Sequence, residues 1–205
     1  ECGAAVDTFV RVNYLAHFYL ADPDEALMFG NYIGDGIKGS NLNVYPEPVR
    51  RGVRFHRFID SFTDDHTQVK EAKKLFYPTQ AKFSGVVVDV LFDHFLAKNW
   101  ADYSDEVLSD FAMRCYNTVE NFDAPMPERS SRFYYYMRRE NILHSYQNAS
   151  DVTRVFRGMD SRTRFESNMS ESINDMQGNE QNVENLFHSF FPELIEACQQ
   201  WKQEN

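Results

Sequence analysis

Cysteine is scarce in this sequence. Cys2, Cys115 and Cys198 are odd in number, far apart, and form no Cys-x-x-Cys pair. That pattern excludes a disulfide framework and a zinc ribbon, and reduced thiols in a cytoplasmic protein are the expectation. Long apolar runs are also missing. No segment approaches the roughly 18 continuous apolar residues of a membrane helix, and the N-terminus lacks the basic-then-apolar pattern of a secretion signal. A Gly-rich loop ending in Gly-Lys-Ser/Thr is absent, which argues against an NTPase. A Gly-x-Ser-x-Gly turn is absent too, which argues against a serine hydrolase. Nor is there an excess of positive charge. The formal net charge of −10 argues against nonspecific nucleic-acid binding, which needs net neutralisation of phosphates.

The 205 residues contain 42% hydrophobic and 25% charged side chains, the balance of a globular chain. Aromatics are plentiful, with 18 Phe and 11 Tyr, and supply large apolar area per residue. Residues 1–12 look unlike the rest of the chain. We expect them to be a leader ahead of one helical domain over 13–205.

The fold class expected is all-α. The 9 glycines and 7 prolines cluster, and the periodicity between the clusters is helical. Helices are predicted over Asn13–Leu20, Ala26–Ile37, Pro48–Phe62, Thr67–Phe76 (ending before Pro78), Asp105–Phe122, Ser130–Tyr146 and Ser150–Met159. Another is predicted over Thr163–Trp201, with breaks near Gly178 and Pro192. Val86–Ala97 is ambiguous, because Val86, Val87 and Val88 favour a strand. The apolar run is long for a strand, so a helix buried on all sides is expected.

Charge is polarised along the chain. Arg50, Arg51, Arg54 and Arg57 form one basic group. Arg129, Arg132, Arg138 and Arg139 form a second, and Arg154, Arg157, Arg162 and Arg164 a third. From residue 165 onward, eight carboxylates face one lysine.

Several polar groups sit where chemistry is plausible. His56 and Asp60 are four apart, so on a helix they share a face, about 40° apart in projection. They can ligate one ion together or form an ordinary surface pair. Asp89, Asp93 and His94 interrupt an otherwise apolar helix. Buried carboxylates need partners, from either a metal or an arginine. Asn31 and Asp35 lie in Gly-Asn-Tyr-Ile-Gly-Asp-Gly, where the glycines suggest a backbone packed closely against something. His17 stands alone in an apolar segment, the usual setting of a core histidine. A mixed His and Asp set suits Mn²⁺, Fe²⁺, Zn²⁺ or Mg²⁺, and an oxygen-rich set leans to Mn²⁺ or Mg²⁺. A divalent metal, Mn²⁺ first and Mg²⁺ or Fe²⁺ next, is the cofactor expected.

Four motifs, in order and with matching spacing, resemble the acyl carrier protein phosphodiesterases. They are Asn-Tyr-Leu-Ala-His-Phe-Tyr-Leu (13–20), Gly-Asn-Tyr-Ile-Gly-Asp (30–35), His-Arg-Phe-Ile-Asp-Ser-Phe-Thr-Asp (56–64) and Asp-Val-Leu-Phe-Asp-His-Phe-Leu (89–96). The resemblance implies an HD-like helical domain with a metal site in its core. It implies hydrolysis of holo-acyl carrier protein to apo-protein and 4′-phosphopantetheine. His56, Asp60, Asp93, His94 and His17 are then the expected metal residues. Asp89 or Asp35 is expected to orient the attacking water, and Arg57 to neutralise phosphoryl charge. Acyl carrier proteins are acidic, so substrate binding is expected at Arg50, Arg51 and Arg54. Two alternatives stay open: an HD-type phosphohydrolase of nucleotides or small phosphate esters, and a helical interaction module without catalysis.

Overall fold

The computed structural model describes residues 13–39, 42–163 and 165–205. The expected leader, residues 1–12, and Arg164 of the third basic group lie outside the described residues. Every regular element among the described residues is helical, with no strand. The elements are α1 (Tyr14–Ala21), α2 (Glu25–Gly34), α3 (Glu47–Asp65), α4 (Thr67–Gln80), α5 (Ser84–Lys98), α6 (Leu108–Asn121), α7 (Glu128–Arg139), α8 (Ile142–Ser145), α9 (Ala149–Asp160), α10 (Ser172–Met176) and α11 (Glu180–Glu204), joined in places by single 3₁₀ turns. None of these helices is long and apolar enough to cross a membrane.

α5 lies at the centre. From Val87 to Ala97 every side chain is buried, so burial overrides the strand preference of the run Val86–Val88 at its start. α1, α4, α9 and α11 all contact it. Aromatic rings fill the spaces between layers, as where Phe29 of α2 stacks on Phe122 after α6, at 4.6 Å between centroids.

α2 and α3 press together backbone to backbone. A Cβ on Gly52 would stand 2.6 Å from the Leu27 carbonyl oxygen and 2.7 Å from the Gly30 Cα. Real Cβ atoms do not come that close, so only glycine permits the crossing. Gly30 and Gly34 accommodate α3 in the same way, while Gly36, next to Asp35, makes room for Ser130 and Pro127 at the start of α7.

Helix ends depart from expectation for local reasons. α4 runs on through Pro78, and α11 through Pro192. Both prolines face solvent, and in α11 buried side chains from Val183 to Cys198 hold both halves to the core. The helix expected over 130–146 is instead two, because Asn141 takes a left-handed conformation (φ 48°). The break near Gly178 is present, with φ 86°. The described residues of 163–168 are not helical. His66 caps α4, its Nδ1 accepting from the Gln68 N–H at 3.3 Å.

Candidate metal centre

His17, His56 and Asp60 meet where α1 and α3 face each other beside α2. One ligand atom from each lies within 4.8 Å of the others, close enough to hold one metal ion. The His17 Nε2 is 3.4 Å from Asp60 Oδ1, and the His56 Nε2 is 3.4 Å from Asp60 Oδ2. The two imidazoles stand 4.6 Å apart between ring centroids. Both histidines are buried, and Asp60 retains a side-chain exposure of 20%. The cluster is thus buried except on the side of Asp60.

Each of the three side chains is held by its own device. Asn31 of α2 donates its amide N–H to the His17 carbonyl at 2.8 Å. A carbonyl can only accept, so the amide oxygen must be the atom 2.6 Å from His17 Nδ1. That nitrogen therefore carries a hydrogen, and in the neutral ring Nε2 keeps its lone pair facing Asp60. Burial lowers the His17 pKa, but the Asp60 carboxylate and Asn31 more than offset it, and the net direction is upward. A proton on the His17 ring is what the neighbouring Asp60 carboxylate favours. His56 owes its position to Gly34, since a Cβ there would lie 2.6 Å from the ring. The i, i+4 spacing on α3 brings Asp60 beside it, as the periodicity predicts.

Asp93 lies on α5 behind the cluster. Its two oxygens accept the N–H groups of Leu15 at 2.8 Å and Ala16 at 2.9 Å. These are orphan donors of the first turn of α1, whose own preceding residue, Asn13, makes no side-chain cap. Asp93 so anchors the helix that carries His17. Burial pushes its carboxyl up to about 8, against the pull of these two donors and of His17, with Asp89 adding to the rise. His94 donates from Nδ1 to the Tyr146 carbonyl at 2.6 Å, and burial lowers its pKa. Asp89 is buried on the same helix, one turn before Asp93.

Asp35 follows α2 and is half-buried, with the Tyr14 hydroxyl 3.5 Å from its Oδ2. Tyr14 also stacks on Phe133 of α7 at 5.1 Å. Neither Tyr14 nor Phe133 stands out in the sequence, although Tyr14 lies one helical turn before His17. Burial raises the Tyr14 hydroxyl pKa, with Asp35 and other groups adding to it and Arg129 opposing it, so Arg129 is near enough to be felt.

The α3 arginines are largely engaged. Arg50 and Arg54 both pair with Glu47, at 2.6 and 2.5 Å. Arg51 turns to the other side. It reaches Asp24 at 3.4 Å and the Lys202 carbonyl at 2.9 Å, and lies over the Trp201 ring. Arg57 is exposed and donates to the Gly39 carbonyl at 2.5 Å.

Fold and site together define an all-helical protein with two histidines and a carboxylate gathered at a helix crossing. The family model described as "Acyl carrier protein phosphodiesterase" matches residues 12–194. The chain belongs to the acyl carrier protein phosphodiesterase family. A relative of that name from Enterobacter sp. (strain 638) is 31% identical over 90% of this chain and 96% of its own. Those from Klebsiella pneumoniae (strain 342) and Pectobacterium atrosepticum are each 29% identical, over 92% and 91% of this chain and 98% and 97% of theirs. No solved structure gives a significant match.

Proposed function

We propose that the chain is a cytoplasmic, metal-dependent phosphodiesterase that hydrolyses holo-acyl carrier protein to apo-protein and 4′-phosphopantetheine. Family membership supports the substrate, and the convergence of His17, His56 and Asp60 is the observation that carries the chemistry. These three side chains would hold the ion. Two imidazoles and one carboxylate favour Mn²⁺ or Fe²⁺ over Mg²⁺, which prefers oxygen donors. When bound, such an ion polarises a phosphoryl oxygen and acidifies a water.

The chain's own residues do the rest. Asn31 holds His17 with Nε2 toward the ligand position, and Asp93 holds the start of α1. Asp35, or Asp89 on the buried side, orients the water that attacks phosphorus. The bond from phosphorus to the carrier's serine oxygen breaks, that oxygen takes a proton, and the phosphate leaves with the pantetheine. Arg57, next to His56 in sequence, offsets charge on the phosphoryl oxygens. In this reading His17, His56 and Asp60 are ligands, Asp93 supports them through α1, and His94 braces α5 against Tyr146. The pairing of His and Asp on neighbouring helices is what makes the domain HD-like.

Intact mass spectrometry of holo-acyl carrier protein incubated with the protein and Mn²⁺ tests this reading. Loss of the phosphopantetheine mass, stopped by chelator and restored by Mn²⁺, is expected. Full activity after exhaustive chelation would refute the metal, and an unchanged carrier mass would refute the substrate.

A further inference from the structure

The basic residues least committed within the fold lie away from α3. From Glu128 to Arg162, seven described arginines face four carboxylates, a balance of +3 along the sequence in a chain of −10. One of those carboxylates is already spent. Asp160 accepts from the Ser167 hydroxyl at 2.6 Å and from the N–H groups of Met169 and Ser170 at 3.0 and 2.9 Å. Arg132, Arg139 and Arg154 have side-chain exposures of 76%, 73% and 57%. Their contacts with Glu128, Glu140 and Asp151 are exposed pairs, worth about 0–1 kcal/mol each and easily exchanged for a partner's carboxylates.

This face is tied to the candidate centre by rings. A Cβ on Gly158 of α9 would lie 2.9 Å from the Tyr136 hydroxyl, and the Arg162 guanidinium just after α9 lies 4.5 Å over the same ring, so α7 and α9 meet at Tyr136. Tyr136 is 6.1 Å from Phe133, which stacks on Tyr14, one turn before His17. A protein seated on α7 and α9 is therefore beside the α1 end of the metal cluster.

Resting on the function proposed above, we infer that the acidic carrier protein docks on the α7–α9 face, through Arg132, Arg139 and Arg154, and not on the α3 arginines. The physical reason is charge complementarity. A chain of net −10 repels an acidic partner except where local cations dominate within a Debye length, about 8–10 Å. The α3 arginines are also less accessible, with side-chain exposures of 34%, 24% and 44% for Arg50, Arg51 and Arg54.

The test is titration calorimetry of holo-acyl carrier protein into the chelator-treated full chain, at low and high salt. The triple variant R132E/R139E/R154E is expected to bind roughly tenfold or more weakly at low salt, with the gap narrowing at high salt. R132Q/R139Q/R154Q should fall between it and wild type, which covers a fold-damaging triple reversal. R50E/R54E should bind within about twofold of wild type. Turnover of the triple variant should show a raised KM with kcat kept. Wild-type binding by both triple variants, no wild-type binding at low salt, or a larger loss in R50E/R54E would each overturn the inference. A carrier protein that binds as described but keeps its phosphopantetheine would overturn the proposed activity alone.

Discussion

Asn31 decides which nitrogen of His17 carries the hydrogen. Its amide N–H is committed to the His17 carbonyl at 2.8 Å, so its oxygen faces Nδ1 at 2.6 Å and Nε2 is left toward Asp60. Replacing Asn31 by Leu removes that constraint without removing a ligand. Losing such an outer partner typically costs about 10–100-fold in metal affinity. Competition with a chelator dye should show that loss for N31L, and an unchanged affinity would mean that His17 is oriented by packing alone.

The glycines at the α2–α3 crossing separate site from scaffold. G34A should push the His56 ring, which a Cβ would approach to 2.6 Å. G52A should instead part the two helices, since its Cβ meets backbone that cannot swing away. Overpacking of this kind costs about 1–3 kcal/mol. In urea unfolding, G52A is expected to lose stability at that scale or beyond. G34A should lose metal affinity out of proportion to its stability. Equal behaviour of the two would contradict this division.

Asp93 makes stability pH-dependent. Its folded carboxyl is pushed up to about 8 by burial, against about 3.9 in an unfolded chain. Between those values the folded state holds the proton and the unfolded state does not. Stability from this group is therefore full below about pH 4 and lost as pH rises toward 8. In chelator, the stability of wild type relative to D93N should fall between pH 5 and 8. A flat difference would show the carboxylate ionised throughout by its two backbone donors.

Much of the fold is legible in the sequence, and the departures have physical causes. The helical class follows from periodicity, and α5 from a run too long for a strand. The pairing of His56 with Asp60 follows from a four-residue spacing on one helix. Asn31 lies in a glycine-rich motif, but its grip on His17 depends on α1 and α2 packing together, which no local pattern encodes. Likewise Asp93 reads as one more ionisable group in a helix, and only the tertiary fold brings the α1 N-terminus to it. The α3 arginines look free in the sequence only while Glu47, three residues before Arg50, is left out of the charge balance. Proline is a weaker helix terminator at 78 and 192 than its pattern implies, because both rings face solvent.

The two described cysteines should be inert in the folded protein. Burial raises the Cys115 thiol pKa well above its ordinary value and that of Cys198 to about 12, so little of the reactive thiolate forms. Alkylation followed by peptide mass mapping should leave both unmodified natively and modify both in denaturant. Fast native labelling of either would contradict the packing of α6 or α11.

Direct counting of bound Mn²⁺ by electron paramagnetic resonance, titrated into the chelator-stripped protein, tests the three-ligand centre most directly. Wild type and H94Q should each bind one ion per chain, while H17A, H56A and D60N, each checked for helicity by circular dichroism, should bind none at the same free concentration. Retention of the ion in H56A and D60N, with its loss in H94Q, would place the metal elsewhere and contradict the account.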